Sequence, residues 1–137
     1  MTHRFLEHTA DVKFRAEGSS IEGMYSSAAD ALNETIRGDI KILEQRAVTF
    51  DVDGKDLEEL LYNFLEEFLF LLDVEDFLVS SVKEISIDKK TLELEAVVMG
   101  DDADNYKFTN DVKAVTYSEM KIEEKEGQWF CDIVLDV

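Results

Sequence analysis

The sequence predicts an α+β domain: a two-layer sandwich with two helices on one face of a mainly antiparallel sheet, in the order β-α-β-α-β-β-β-β. Three observations point there. Two segments carry apolar residues at helical spacing, the segments flanking them alternate with period two, and four alternating runs follow the second helix. The 137 residues fit a single domain, 1–137. A chain of this length buries roughly two-thirds of its unfolded surface, so it can build a core without disulfides or structural metal.

Near the start, Arg4–Leu6 and Val12–Ala16 read as two short strands, or as one strand interrupted by "HTAD" at 8–11. Val12, Phe14 and Ala16 alternate with Lys13, Arg15 and Glu17, the pattern of a half-buried sheet face. Gly18 ends the run. Ser19 with Glu22 three residues on forms a capping-box pattern. Ile21, Met24, Tyr25, Ala28, Leu32 and Ile36 then recur at helical spacing, predicting a helix over 20–37 with Gly38 as its stop. Val48, Phe50 and Val52 give a strand before the turn "DGK". Asp56 and Glu59 open a second helix, whose wide stripe from Leu57 to Leu72 marks it as the main core helix.

Beyond Asp73 the period falls to two. Residues 77–87 read as a strand with an irregularity at Ser80–Ser81, Asp88–Lys90 as a turn, and Leu92–Val98 as the returning strand of a hairpin. "GDDADNYKFTN", 100–110, reads as a polar loop. Residues 112–122 and 129–137 form a last pair around the turn "EKEG". A hairpin turning near Lys125–Glu126 sets Ile122 opposite Trp129 and Val115 opposite Asp136.

The charge balance is lopsided, with 32 acidic against 14 basic residues and a net charge of −18. Such a surface repels phosphate backbones, which disfavours tight direct binding of nucleic acid and favours a basic partner or bound cations. The apolar run 57–73 contains four glutamates and falls short of the ~20 residues a membrane span requires. A single thiol, Cys131, and the lack of a basic-then-apolar leader suggest the cytoplasm. Cys131 shares its strand face with Trp129, Ile133 and Leu135, so it reads as a small core residue rather than a nucleophile.

Glycine-rich phosphate loops and zinc signatures are absent from the sequence. The acidic run 101–104 breaks the calcium-loop pattern, because Tyr106 and Lys107 fall where an acidic ligand and the glycine belong. A different cation site suggests itself at the end of the chain. "DIVLDV" places the carboxylate of Asp136 beside Val137 and its terminal carboxylate, within reach of Lys113 if the hairpin register holds. Two carboxylates held together repel unless a cation lies between them, and oxygen ligands suit hard cations such as calcium, magnesium or manganese. Asp11 would complete the site; periodicity alone leaves its distance from Asp136 open.

"HTAD", "DLEELLYNFLEEFLFLLD", "VKAVTYSEM" and "DIVLDV", in this order and spacing, resemble the archease family over essentially the whole chain. The resemblance implies an accessory protein, not an enzyme, that assists the GTP- and manganese-dependent RtcB-type RNA ligase of tRNA splicing. It would promote guanylylation and repeated turnover of that ligase. It also implies a divalent cation, calcium in the family, held by Asp11, Asp136 and Val137, with Lys113 a functional lysine. His8, of the same motif, would orient Asp11 by a hydrogen bond rather than ligate, and Thr9 can do the same. A chaperone that tunes a tRNA methyltransferase or another RNA-modifying enzyme is the alternative reading. A stand-alone metal hydrolase ranks below it.

Overall fold

A computed structural model describes residues 2–6 and 11–137. The elements are β1 (Thr2–Leu6), β2 (Val12–Gly18), α1 (Ile21–Arg37), β3 (Arg46–Asp53), α2 (Leu57–Glu75), β4 (Phe77–Asp88), β5 (Glu93–Asp102), β6 (Ala114–Lys125) and β7 (Gln128–Asp136), with a 3₁₀ turn at Ala103–Asn105. The α+β class and the order of helices and strands are as predicted, with the opening segment forming two strands. The strands divide between two sheets, β1-β2-β7-β6 and β3-β5-β4, and every neighbouring pair is antiparallel. Both helices bridge the two sheets. α1 packs on β1, β2 and β7 of the first and β4 of the second, while α2 packs on β6 of the first and β3, β4 and β5 of the second.

The helices start and stop where side chains satisfy backbone groups that helix geometry leaves unpaired. Ser20, not Ser19, caps α1, its hydroxyl accepting from the Gly23 N–H at 3.0 Å. Asp56 caps α2 through the Glu59 N–H at 2.8 Å, and Glu59 reaches back to the Lys55 N–H. Such caps contribute about 1 kcal/mol each. The predicted apolar stripe of α1 is buried along its whole length, as are Leu60, Leu61, Phe64, Leu65 and Phe68 of α2. Gly18 lets β2 run close under α1: a Cβ there would lie 2.5 Å from the Met24 nitrogen.

Two local readings need correction. The 100–110 segment is not all loop: β5 runs on to Asp102, and Asp101 is buried, accepting from the Asp102 N–H, the Asn105 amide and the Tyr106 hydroxyl. Those bonds, the Tyr106 one foremost, hold the Asp101 carboxyl below the usual carboxylate range. The β6–β7 register also differs. Ile122 faces Cys131, not Trp129, and Val115 faces Leu135, not Asp136. The hairpin turns at Glu126–Gly127, both at positive φ, and residues 117–120 bulge out against Ile133 alone, with Glu119 at φ 54°. Period-two counting has no means of locating such an insertion. The irregularity expected at Ser80–Ser81 is present as a register shift between Val79 and Ser81.

β6 is an edge strand of the first sheet. Glu66 of α2 covers part of that edge by accepting the Val115 N–H at 3.0 Å.

Candidate functional site

β2 and β7 pair antiparallel from Val12↔Leu135 to Gly18↔Trp129. Phe14, Ala16, Cys131, Ile133 and Leu135 belong to the core, which leaves Lys13, Arg15, Asp132 and Asp136 on the face turned away from the helices. The pairing ends at Val12↔Leu135, so Asp11 and Asp136 each lie one residue beyond it. β6 joins at the same end: Ala114 pairs with Asp136, and the Lys113 N–H donates to the Asp136 carbonyl at 2.8 Å. The backbone therefore brings Asp11, Lys113 and Asp136 to one end of one sheet. Val137 follows directly, packed against the core.

Lys113 reaches the end of β7 through its main chain, and its side chain is exposed. Asp11 borders an open cleft of 620 Å³, lined also by Lys13, Phe5 and the end of α1. His8 and Thr9, the proposed orienting groups, lie outside the described residues. Among the described residues, no group of three or more histidine, cysteine, aspartate or glutamate side chains is close enough to hold a metal ion. The candidate donor set here is thus the pair Asp11 and Asp136, each one residue past the Val12↔Leu135 pairing. Its chemistry suits a hard cation that draws its remaining oxygens from water, from main-chain carbonyls or from a partner.

Sequence reasoning passed over the neighbours of this pair. Arg15 donates twice to Asp132, Nε to Oδ1 at 2.6 Å and Nη2 to Oδ2 at 3.0 Å. Asp132 is only 7% exposed, and its bond to Arg15 holds its carboxyl below the usual range despite burial. Lys13, two residues from Asp11, donates to Glu119 of the β6 bulge at 3.2 Å. A partial signal existed: set antiparallel, "DVKFR" and "DIVLD" bring Arg15 opposite Asp132. Cys131 is a core residue as predicted; burial pushes its thiol up to about 12, which makes it a poor nucleophile.

A second acidic feature lies on α2 and the other sheet. Asp51, Asp53, Glu66, Glu67, Glu93 and Glu95 line an open cleft of 590 Å³, and no lysine or arginine lies among its described lining residues. Burial, then Glu75 and Asp51, make Glu67 hold its proton more tightly than an ordinary glutamate. Among the described residues no helix is long and apolar enough to cross a membrane.

The model of the archease protein family (MTH1598/TM1083) matches residues 3–137. The chain is 39% identical to Protein archease of Pyrococcus abyssi, covering 96% of this chain and 95% of that one. It is 30% identical to an archease-like protein of Dictyostelium discoideum, covering 97% and 91%. The fold matches the solution structure of protein 1598 of Methanobacterium thermoautotrophicum with a TM-score of 0.82, at 28% identity and 98% coverage of both chains. It also matches the crystal structure of a Thermotoga maritima archease described as a possible chaperone, with a TM-score of 0.70, 20% identity and coverage of 96% and 94%.

Proposed function

Because the chain belongs to the archease family, we propose that it is an accessory protein that activates an RtcB-type RNA ligase in tRNA splicing, promoting guanylylation and repeated turnover. The observation that supports this reading is the β2–β7 register, which ends at Val12↔Leu135 and so leaves Asp11 and Asp136 at the same end of one sheet, where the Lys113 N–H donates to the Asp136 carbonyl. Asp11 and Asp136, with an oxygen of Val137, would hold a divalent cation, calcium by family resemblance, with magnesium or manganese as alternatives. Bound there, the cation supplies positive charge that phosphate or carboxylate oxygens of the ligase can share.

The chain's own residues position this pair. The β2–β7 ladder carries the two aspartates at one end, the Lys113 N–H pins the Asp136 main chain, and the core behind Val12, Leu135 and Val137 holds that end in place. The net charge of −18 speeds encounter with a basic surface, and the ligase would respond by a shift toward its guanylylation-competent conformation.

Guanylylation of a purified ligase, with and without this protein, tests the reading. Asp11→Ala and Asp136→Ala should keep a native circular-dichroism spectrum and lose stimulation. Full stimulation by both folded variants rejects the proposal. The chaperone reading draws on Phe70 and Val74, one turn apart on α2 and 46% and 64% exposed. It predicts suppression of client light scattering that both aspartate variants retain.

A further inference from the structure

The face of α2 turned away from the core mixes apolar and acidic side chains in one stripe. Asn63, Glu66, Glu67, Phe70 and Val74 recur there at helical spacing. Phe70 and Val74 stay exposed, while Phe64, Phe68 and Leu71 of the same helix are buried. Phe70 also lines the acidic cleft between α2 and the β3–β5 strand pair. Two further features there call for positive charge. Across the strands Glu93 is flanked by Asp53 and Asp88, and Glu95 faces Asp51. Like charges so placed cost stability. The last turn of α2 holds Asp73 and Glu75 and no basic residue, at the end where the helix dipole favours a cation.

We propose that this face of α2, with the cleft beside it, is a docking surface for a basic segment of a partner protein that carries large apolar side chains among its lysines or arginines. The apolar side chains would cover Phe70 and Val74, and the basic ones would offset the rows of like charge. Charge decides the occupant. A second copy of this chain would bring the same acids against these, and nucleic acid or an anionic membrane surface would be repelled. Neither Asp11 nor Asp136 lines the cleft, so docking here does not depend on the metal reading.

A labelled helical peptide of about 12 residues, made of lysine and leucine, is the probe. Its binding is followed by fluorescence anisotropy and by the amide NMR signals of the protein, at about 150 mM ionic strength, where diffuse attraction is screened. The signals of Glu67, Phe70, Val74 and Glu95 should shift saturably. Phe70→Ser, at a half-exposed site, should weaken binding about fivefold. The double variant Glu93→Gln/Glu95→Gln, at two exposed side chains, should also weaken it about fivefold. Asp136→Ala should bind as the parent does. A lysine–serine peptide of equal charge should bind at least about tenfold more weakly. Unchanged affinity in Phe70→Ser, or shifts spread over the whole acidic surface, would overturn the proposal in favour of diffuse charge attraction. Equal binding of a glutamate–leucine peptide would overturn it in favour of apolar clients of any charge. Concentration-dependent shifts at Phe70 and Val74 without peptide would assign the face to a second copy instead. No saturable binding of the lysine–leucine peptide would leave the face without this role.

Discussion

On one face of one strand pair, four residues apart, β2 and β7 arrange charge in opposite ways. In the middle of the ladder Arg15 meets Asp132, base against acid, in a two-pronged ion pair that is mostly dry. One residue past the last pair, Val12↔Leu135, lie Asp11 and Asp136, two acids at one end of the sheet. Opposite charges across a strand pair stabilise and like charges destabilise, each by up to about 1 kcal/mol. The same backbone could have carried a salt bridge in both places. Where the sheet must hold together the charges are complementary, and at its end two like charges lie at neighbouring positions, where the proposed cation would offset their repulsion.

The comparison can be broken most severely at its stable half. Arg15→Met strands a buried carboxylate. Loss of one partner from a fully buried pair costs about 3–5 kcal/mol; Arg15 is a third exposed, so about 2 kcal/mol is expected from urea unfolding. A loss below about 0.5 kcal/mol would put this pair in the class of ordinary surface contacts.

Calcium sharpens the other half. At ten times its dissociation constant, a ligand bound only to the folded state adds about 1.4 kcal/mol of stability. The parent protein should show that rise in thermal midpoint, and Asp136→Asn should not. Without metal, Asp136→Asn should leave stability unchanged or raise it by about 0.5 kcal/mol, since it removes a repulsion.

The smallest effect concerns acid. Asp132 binds its proton less tightly folded than unfolded, so its contribution is complete above the unfolded value of about 4 and is lost as pH falls through the lower folded value. Asp132→Asn should flatten the fall in stability below about pH 4, measured by urea titration at successive pH values. An unchanged slope would mean that other carboxylates dominate the acid limb.

Helix periodicity, caps and strand alternation were legible because they are local: the stripe from Ile21 to Ile36 and the cap at Asp56 need only neighbouring residues. The division into two sheets was not legible, because it depends on which strands the two helices separate. Asp136 was nominated by its place at the end of the last strand, with Asp11 added as a possible third carboxylate and matched to the family motif by resemblance; that both lie at one end of one sheet came only with the β2–β7 register, a contact between the two ends of the sequence. Lys13 was read as the polar half of an alternating strand. Its partner Glu119 belongs to a bulge that no periodicity announces, so the pair was invisible until the three extra residues of β6 were placed. Asp101 was hidden in a segment whose composition says loop, although its carboxylate organises a buried turn with Tyr106.

The carboxylate of Glu66 has a consequence for association between molecules. By occupying the Val115 amide it removes one docking point from the open rim of β6, where a second polypeptide would otherwise zip on. Glu66→Ala would uncover that rim, and concentrated samples would then be expected to form strand-exchanged dimers or fibrils.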